Sequence, residues 1–425
     1  MIGWAGNIKI VPRVLLVAAT TGYQTRAFAD AARRLGFDLA LATDRCHVLE
    51  DPWGDHAIPV RFEDPYGSCD IVAAGGPFDG IVAVGDRPTL LAALVGEALA
   101  IPHNSPAAVA ACRDKYLAHQ RFRAAGPPVP EFFRVAVDAD PVVTGARAPF
   151  PCVLKPLGLS ASRGVIRAND TADFVAAFER IRALLESADI AALREEQNRY
   201  IQVESFIEGH EFSLEGLVTR GDLQTLAIFD KPDPLDGPFF EETIYVTPSR
   251  ESAEVQQMII DAAKNAVRAV GLAHGPIHAE VRVNRQGAWL LEVAARPIGG
   301  LCARALRFGG GMSLEELILR HAVGEDVAGV RLSDPASGVM MIPIPKAGIY
   351  EGVAGVELAS AVPNIEEVII TAKEGQKLLP LPEGASYLGF IFARGESPER
   401  VERALREAHA CLRFEIATAL PVVRR

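Results

Sequence analysis

The chain has 425 residues, 49% of them hydrophobic and 23% charged, the balance of a soluble globular protein with roughly two to four structural units. Its net charge of −11 and pI near 5.4 argue against a nucleic-acid backbone as partner. No apolar run is long enough to span a bilayer, and Met1-Ile2-Gly3-Trp4 does not open a signal peptide, so a cytoplasmic protein is expected. Cys46, Cys69, Cys112, Cys152, Cys302 and Cys411 form no CxxC pair, and they read as scattered buried thiols in a reducing compartment.

Val14–Ala18 reads as a buried strand, Thr25–Leu35 as a helix ended near Gly36, and Asp38–Ala42 and Gly80–Val84 as further strands. Alternation at this spacing implies a parallel, helix-covered sheet. Ser105 and Pro106 supply an N-cap and a first-turn proline for a helix through Cys112. Pro127–Pro130 and the loose stretch Asp138–Pro151 lead into a second unit. There Cys152–Lys155 and Val165–Arg167 read as paired strands, followed by a helix from about Ala172 to Glu186 capped by Thr171. Tyr200–Val203 is a strand, Phe212–Val218 begins another sheet, and a helix runs from about Ala253 to Val270. Ser313 and Glu316 form a capping box. From about Ala328 the chain reads as a small αβ unit, with strands Val339–Ile344, Glu367–Ile370 and Leu388–Ala393 and a last helix opened by Ser397-Pro398.

The most informative stretch is His278 to Arg296. Ile277, Ala279, Val281 and Val283 alternate with His278, Glu280 and Arg282, the period of a half-buried strand. Gly287 suits a three-residue hairpin loop that pairs Asn284 with Ala288 and, counting outward, Glu280 with Glu292. Like charges directly opposite repel, so a cation is expected between them, and hard divalent ions such as Mg2+ take carboxylate oxygens. The competing reading is a surface hairpin whose acids are neutralised by Arg282 and Arg296.

Lys155 ends a strand just before Gly158-Leu159-Ser160-Ala161-Ser162-Arg163-Gly164, a loop whose N–H groups and hydroxyls can approach phosphate oxygens. There is no Walker A loop and no GxGxxG fingerprint. Glu204 to Glu211 joins a strand end, a bent apolar segment and a second acid, which can serve a purine edge and a ribose. Taken alone, each of these segments reads more simply as a solvated loop or strand corner.

Lys115, Val153-Leu154-Lys155, the Gly/Ser loop, Glu204 to Glu211, Glu280 and Glu292-Val293-Ala294-Ala295-Arg296 occur in one order. That order resembles the ATP-grasp superfamily over roughly residues 1 to 320. The EVAAR…GG ending and the segment Asp230 to Ser249 look like the L-amino-acid ligases, which join amino acids into dipeptides. The resemblance implies an α/β (α+β) ATP-grasp fold with a Rossmann-like parallel-sheet domain at 1–112 and an ATP-grasp domain at 113–327. Within the latter it implies a lid at about 148–204 and an antiparallel ATP-binding sheet, with a small αβ domain at 328–425 to follow.

It also implies an ADP-forming carbon–nitrogen ligase that uses ATP and Mg2+, with Mn2+ as an alternative ion. Lys115 and Lys155 would hold phosphates, with Ser160, Ser162 and Gly164 in the lid loop. Glu204, Ser205 and Ile207 would border the adenine, and Glu211 the ribose. Glu280 and Glu292 would bind the metal, Glu292, Lys155 and Arg296 would be catalytic, and Arg296 and Gly299 would hold substrate. His278, Lys231 and Glu242 are weaker substrate candidates, with a structural, hydrogen-bonded His278 the more ordinary reading; Glu241 is weaker still. Small carboxylates and amines are the expected partners, with no nucleic acid and no membrane, and a homodimer is a common assembly in the superfamily. Ala294 departs from the pattern, because many members carry an Asn there, so one metal ligand is missing. Other ATP-grasp ligases of purine or carboxylase type, a nucleotide-binding module without turnover, and a nicotinamide oxidoreductase are the rival readings. The absent glycine fingerprint weakens the last.

Overall fold

The computed structural model describes residues 11–19, 23–44, 57–333 and 335–418, and Cys46 lies outside them. Arg13–Ala18, Asp38–Thr43, Ile58–Pro59 and Gly80–Val84 form a parallel four-stranded sheet. Their side chains are apolar on both faces, and two clusters bury them, one containing Val14, Leu16 and Phe28 and the other Leu15, Val17 and Leu91. Parallel sheets are stable when helices cover both sides, which accounts for the near-continuous apolar strands. The expected Ser105 cap is present, its hydroxyl accepting from Ala108 N at 3.2 Å.

A second, antiparallel sheet orders Phe132–Ala136, Tyr200–Ser205, Cys152–Pro156 and Ile166–Ala168. It packs Cys152, Leu154, Ile201 and Val203 against Phe174, Phe178 and Ile181 of the helix Thr171–Leu185. The sheet therefore begins at Phe132, upstream of the expected lid boundary at 148. The helix is capped by Asp170 rather than Thr171, because the Asp170 carboxylate accepts from Asp173 N at 2.9 Å.

The third sheet has eight strands and carries the hairpin His274–Asn284 and Gly287–Ala294 at one edge. His210–Thr219, Asp222–Asp230 and Ile244–Thr247 follow, and then Ala336–Ile342, Gly389–Gly395 and Ile365–Ile370. The last three come from the stretch read as a separate αβ unit. They extend the same sheet, because Ile244–Thr247 pairs antiparallel with Ser337–Met340. The helix Ala253–Val270 covers one face through Ile259, Ala263, Ala266 and Val267. Among the described residues no helix is long and apolar enough to cross a membrane.

Candidate ATP and carboxylate site

Within the hairpin, Glu280 does pair with Glu292, by a different route from the one expected. The turn is tighter: Asn284 pairs with Gly287, held by Asn284 Oδ1 accepting from Gln286 N at 2.8 Å and from Trp289 Nε1 at 3.2 Å. An irregularity between Val281 and Glu280 then skips Leu291, and the outer register is restored. Nor is the strand half-buried. Ile277, Ala279 and Val281 face the core, yet His278 and Arg282 on the other face are buried too, because the remaining units close over it.

Neither arginine is ion-paired to the two acids. Arg282 pairs with Glu211 (Nε–Oε2, 2.9 Å) and Arg296 with Asp86 (Nε–Oδ1, 3.0 Å). Lysines neutralise them instead: Lys231 Nζ lies 3.1 Å from Glu280, and Lys115 Nζ 3.6 Å from Glu292. Burial alone would raise the Glu280 carboxyl, but Lys231 and His278 hold it well below the ordinary range.

A cavity of about 970 Å³ runs over this face. It is lined by Lys115, Lys155, Ser160, Ser162, Glu204, Ser205, Ile207, Glu211, Glu242, His278, Glu280, Glu292, Arg296 and Gly299. Three of the residues expected at the site, Gly164, Lys231 and Glu241, are not on that lining. Gly164 donates its N–H to the Pro382 carbonyl at 2.8 Å, and a Cβ there would meet Pro156 Cγ at 2.6 Å, so its work is packing. Lys231 is buried behind the wall, with all three ammonium protons directed at Glu211, Glu242 and Glu280. A lysine so engaged has no donor left for a substrate.

The surrounding groups divide the work. Lys155 is ion-paired to the buried Glu204, whose other oxygen accepts from Gln202 Nε2 at 2.8 Å. Burial alone would lower Lys155, but Glu204 outweighs it and keeps the ammonium charged. Lys115 reaches the loop, donating to the Leu159 carbonyl at 2.8 Å. Ser205 N–H is taken by the Glu131 carbonyl at 2.8 Å, so it is not a donor to a base. Glu211 spends one oxygen on Lys231 and the other on Arg282.

Burial pushes the Glu242 carboxyl up to about 6 against the pull of Lys231. His278 Nδ1 shares a 2.5 Å hydrogen bond with Glu215, and although burial opposes it, Glu215 raises the imidazole to about 9. Both readings of His278 thus meet in one residue, which is buried and hydrogen-bonded yet lines the cavity. Ala294 is buried directly opposite it. Gly299 has open space where a Cβ would project.

Sequence reasoning missed Asp86, Glu215 and Gln24. Glu215 Oε2 accepts from Ile298 N at 3.1 Å, and Gln24 Nε2 donates to Ile298 O at 2.5 Å, so together they fix the turn after Arg296. For Asp86 a signal existed, since it follows a parallel strand at its carboxyl end, where such sheets place functional groups. Glu215 and Gln24 carry no local signature.

Residues 148–305 match the ATP-grasp domain family and residues 340–417 the L-amino acid ligase C-terminal domain 2 family. An uncharacterized protein of Sinorhizobium fredii is 22% identical over 413 residues, covering 95% of this chain and 83% of that protein. Alanine–anticapsin ligase of Bacillus subtilis is 29% identical over 183 residues, 40% of this chain and 38% of that enzyme. The crystal structure of an L-amino acid ligase from Bacillus licheniformis superposes with a TM-score of 0.78 at 24% identity, covering 96% of this chain and 99% of that one. Residues 148–305 are thus of the ATP-grasp domain class, on a chain with the matching fold. More particularly, it carries the C-terminal domain of the L-amino acid ligases.

Proposed function

We propose that the protein is an ATP-dependent ligase that activates an amino-acid carboxylate as an acyl phosphate. It then joins that carboxylate to the amine of a second amino acid, releasing ADP and phosphate. One observation carries the reading: Lys115, Lys155 and the hairpin group Glu280, Glu292 and Arg296, three separate segments, line one cavity. Lys115 and Lys155 offset charge on the phosphates, and Arg296 offers fixed, bidentate donors to the carboxyl being activated. The loop with Ser160 and Ser162 covers the site, since water would hydrolyse an acyl phosphate.

The donor set fits Mg2+. Glu280 and Glu292 are opposed carboxylates with hard oxygens, and the 3.6 Å Lys115–Glu292 contact is loose enough to yield. Bound there, the ion would supply charge neutralisation to the bridging phosphates.

Incubation with ATP, Mg2+ and pairs of amino acids should release ADP and phosphate only when amino acids are present. Hydroxylamine should trap the activated carboxylate as a hydroxamate. AMP and pyrophosphate as products would sink the acyl-phosphate mechanism.

A further inference from the structure

The loop Gly85-Asp86-Arg87 leaves the carboxyl end of the parallel strand Gly80–Val84 and reaches the cavity wall. Asp86 crosses from there to the hairpin. Its Oδ1 accepts from Arg296 Nε at 3.0 Å and its Oδ2 from Arg296 Nη2 at 3.3 Å, a side-on pairing. Arg296 Nη1 donates to the Pro297 carbonyl at 3.2 Å. A guanidinium has five N–H donors. With these three engaged, one proton remains on each Nη, and a pair of N–H groups from the two Nη atoms is what a carboxylate or phosphoryl group accepts in bidentate fashion.

Asp86 is itself held in place. The next residue, Arg87, pairs with Asp44 at 3.2 Å, Glu63 at 3.6 Å and Glu195 at 3.3 Å, and Arg113 reaches Glu195 at 3.1 Å. The cavity also holds Glu280 and Glu292 on the hairpin that carries Arg296. An arginine without its own counter-ion would turn toward those acids and lose its orientation toward substrate.

We infer that Asp86 is a positioning residue: it clamps the Arg296 guanidinium side-on, so that the remaining N–H pair is presented to the carboxyl being activated. The N-terminal unit thereby takes part in the chemistry. The inference rests on the ligase reading above.

The experiment compares Asp86→Asn, Asp86→Glu, Arg296→Lys and the double variant Asp86→Asn/Arg296→Lys. It measures kcat and KM for each amino acid, Mg-ADP affinity and thermal midpoint. Asp86→Asn should lose about a hundredfold in kcat/KM for the activated amino acid, the scale of a misplaced catalytic group. Mg-ADP affinity should stay within about twofold, the midpoint should hold, and Asp86→Glu should recover part of the loss. The double variant should be no worse than Arg296→Lys alone, because both changes remove one interaction. Wild-type kinetics in Asp86→Asn, or losses that multiply in the double variant, would overturn the inference. A wild type that releases no ADP in response to amino acids removes the ligase reading itself, a failure visible before any variant is compared.

Discussion

Glu280 and Glu292 face each other across the hairpin, and the two carboxylates are held by different lysines in unlike surroundings. Glu280 shares Lys231 with Glu211 and Glu242 and lies 3.6 Å from His278 Nε2, whereas Glu292 has Lys115 at 3.6 Å as its ion-pair partner among the described residues and feels Lys155 and Arg296 at longer range. Glu292→Gln should therefore leave stability within about 1 kcal/mol of wild type, as for an exposed or weak pair. It should still cost at least about a hundredfold in turnover. Unchanged turnover in the folded variant would remove Glu292 from the proposed metal site.

Lys231 is the keystone of that cluster. Lys231→Met leaves Glu211, Glu242 and Glu280 facing one another with their central cation gone. Breaking a buried pair from one side costs about 3–5 kcal/mol, and chemical denaturation should read a loss of that order. Adding Glu242→Gln should recover part of it, since one repelling charge is removed. A single variant as stable as wild type would contradict the geometry.

Arg163 Nε donates to the Glu383 carbonyl at 2.8 Å, and Arg180 Nη2 reaches Glu383 Oε2 at 2.9 Å. These contacts fasten the loop-bearing sheet to the C-terminal unit; Glu383→Ala keeps the Arg163 bond to the backbone carbonyl and removes the exposed Arg180 pair, so it should cost no more than about 1 kcal/mol of stability. The effect should fall on coupling. With the cover loosened, more ADP should form per amide made, measured as the ratio of the two products. A wild-type ratio would show that the clamp does not guard the intermediate.

His103 and His321 are each pushed down to about 4 by burial, and His274, stacked on His321 with ring centroids 4.2 Å apart, adds to both shifts. The folded state then binds fewer protons than the unfolded chain, whose histidines titrate near about 6.5. Their contribution is complete above about pH 6.5 and is lost as pH falls toward 4. His321→Gln, which keeps a polar partner for Thr219 Oγ1, should flatten the fall in melting temperature between pH 6.5 and 4. An equal slope in the variant would rule out His321 as a source of acid sensitivity.

Much of this protein was legible in its residues. Val14–Ala18 and Gly80–Val84 read as parallel strands because an unbroken apolar run needs cover on both faces. Lys155, Ser160, Ser162, Glu280, Glu292 and Arg296 could be named because each sits in a short motif with a fixed order along the chain. Where local signals compete, reading by residue slipped: the hairpin turn is shorter than Gly287 suggested, and Asp170 took the cap assigned to Thr171.

By itself the sequence determined the parallel N-terminal strands, the Glu280/Glu292 hairpin, the ATP-grasp motif series and most of the acids and lysines that meet, though not Asp86 or Glu215. Tertiary structure alone decided how those charges pair. Lys231 is spent on three buried carboxylates and Gly164 on a neighbouring carbonyl, while Arg296 is clamped by Asp86 from 210 residues away. The physical reason is range. Hydrophobic period and turn chemistry act over a few residues and are written locally, whereas a buried ion must find whatever counter-charge the folded chain brings within about 3–4 Å.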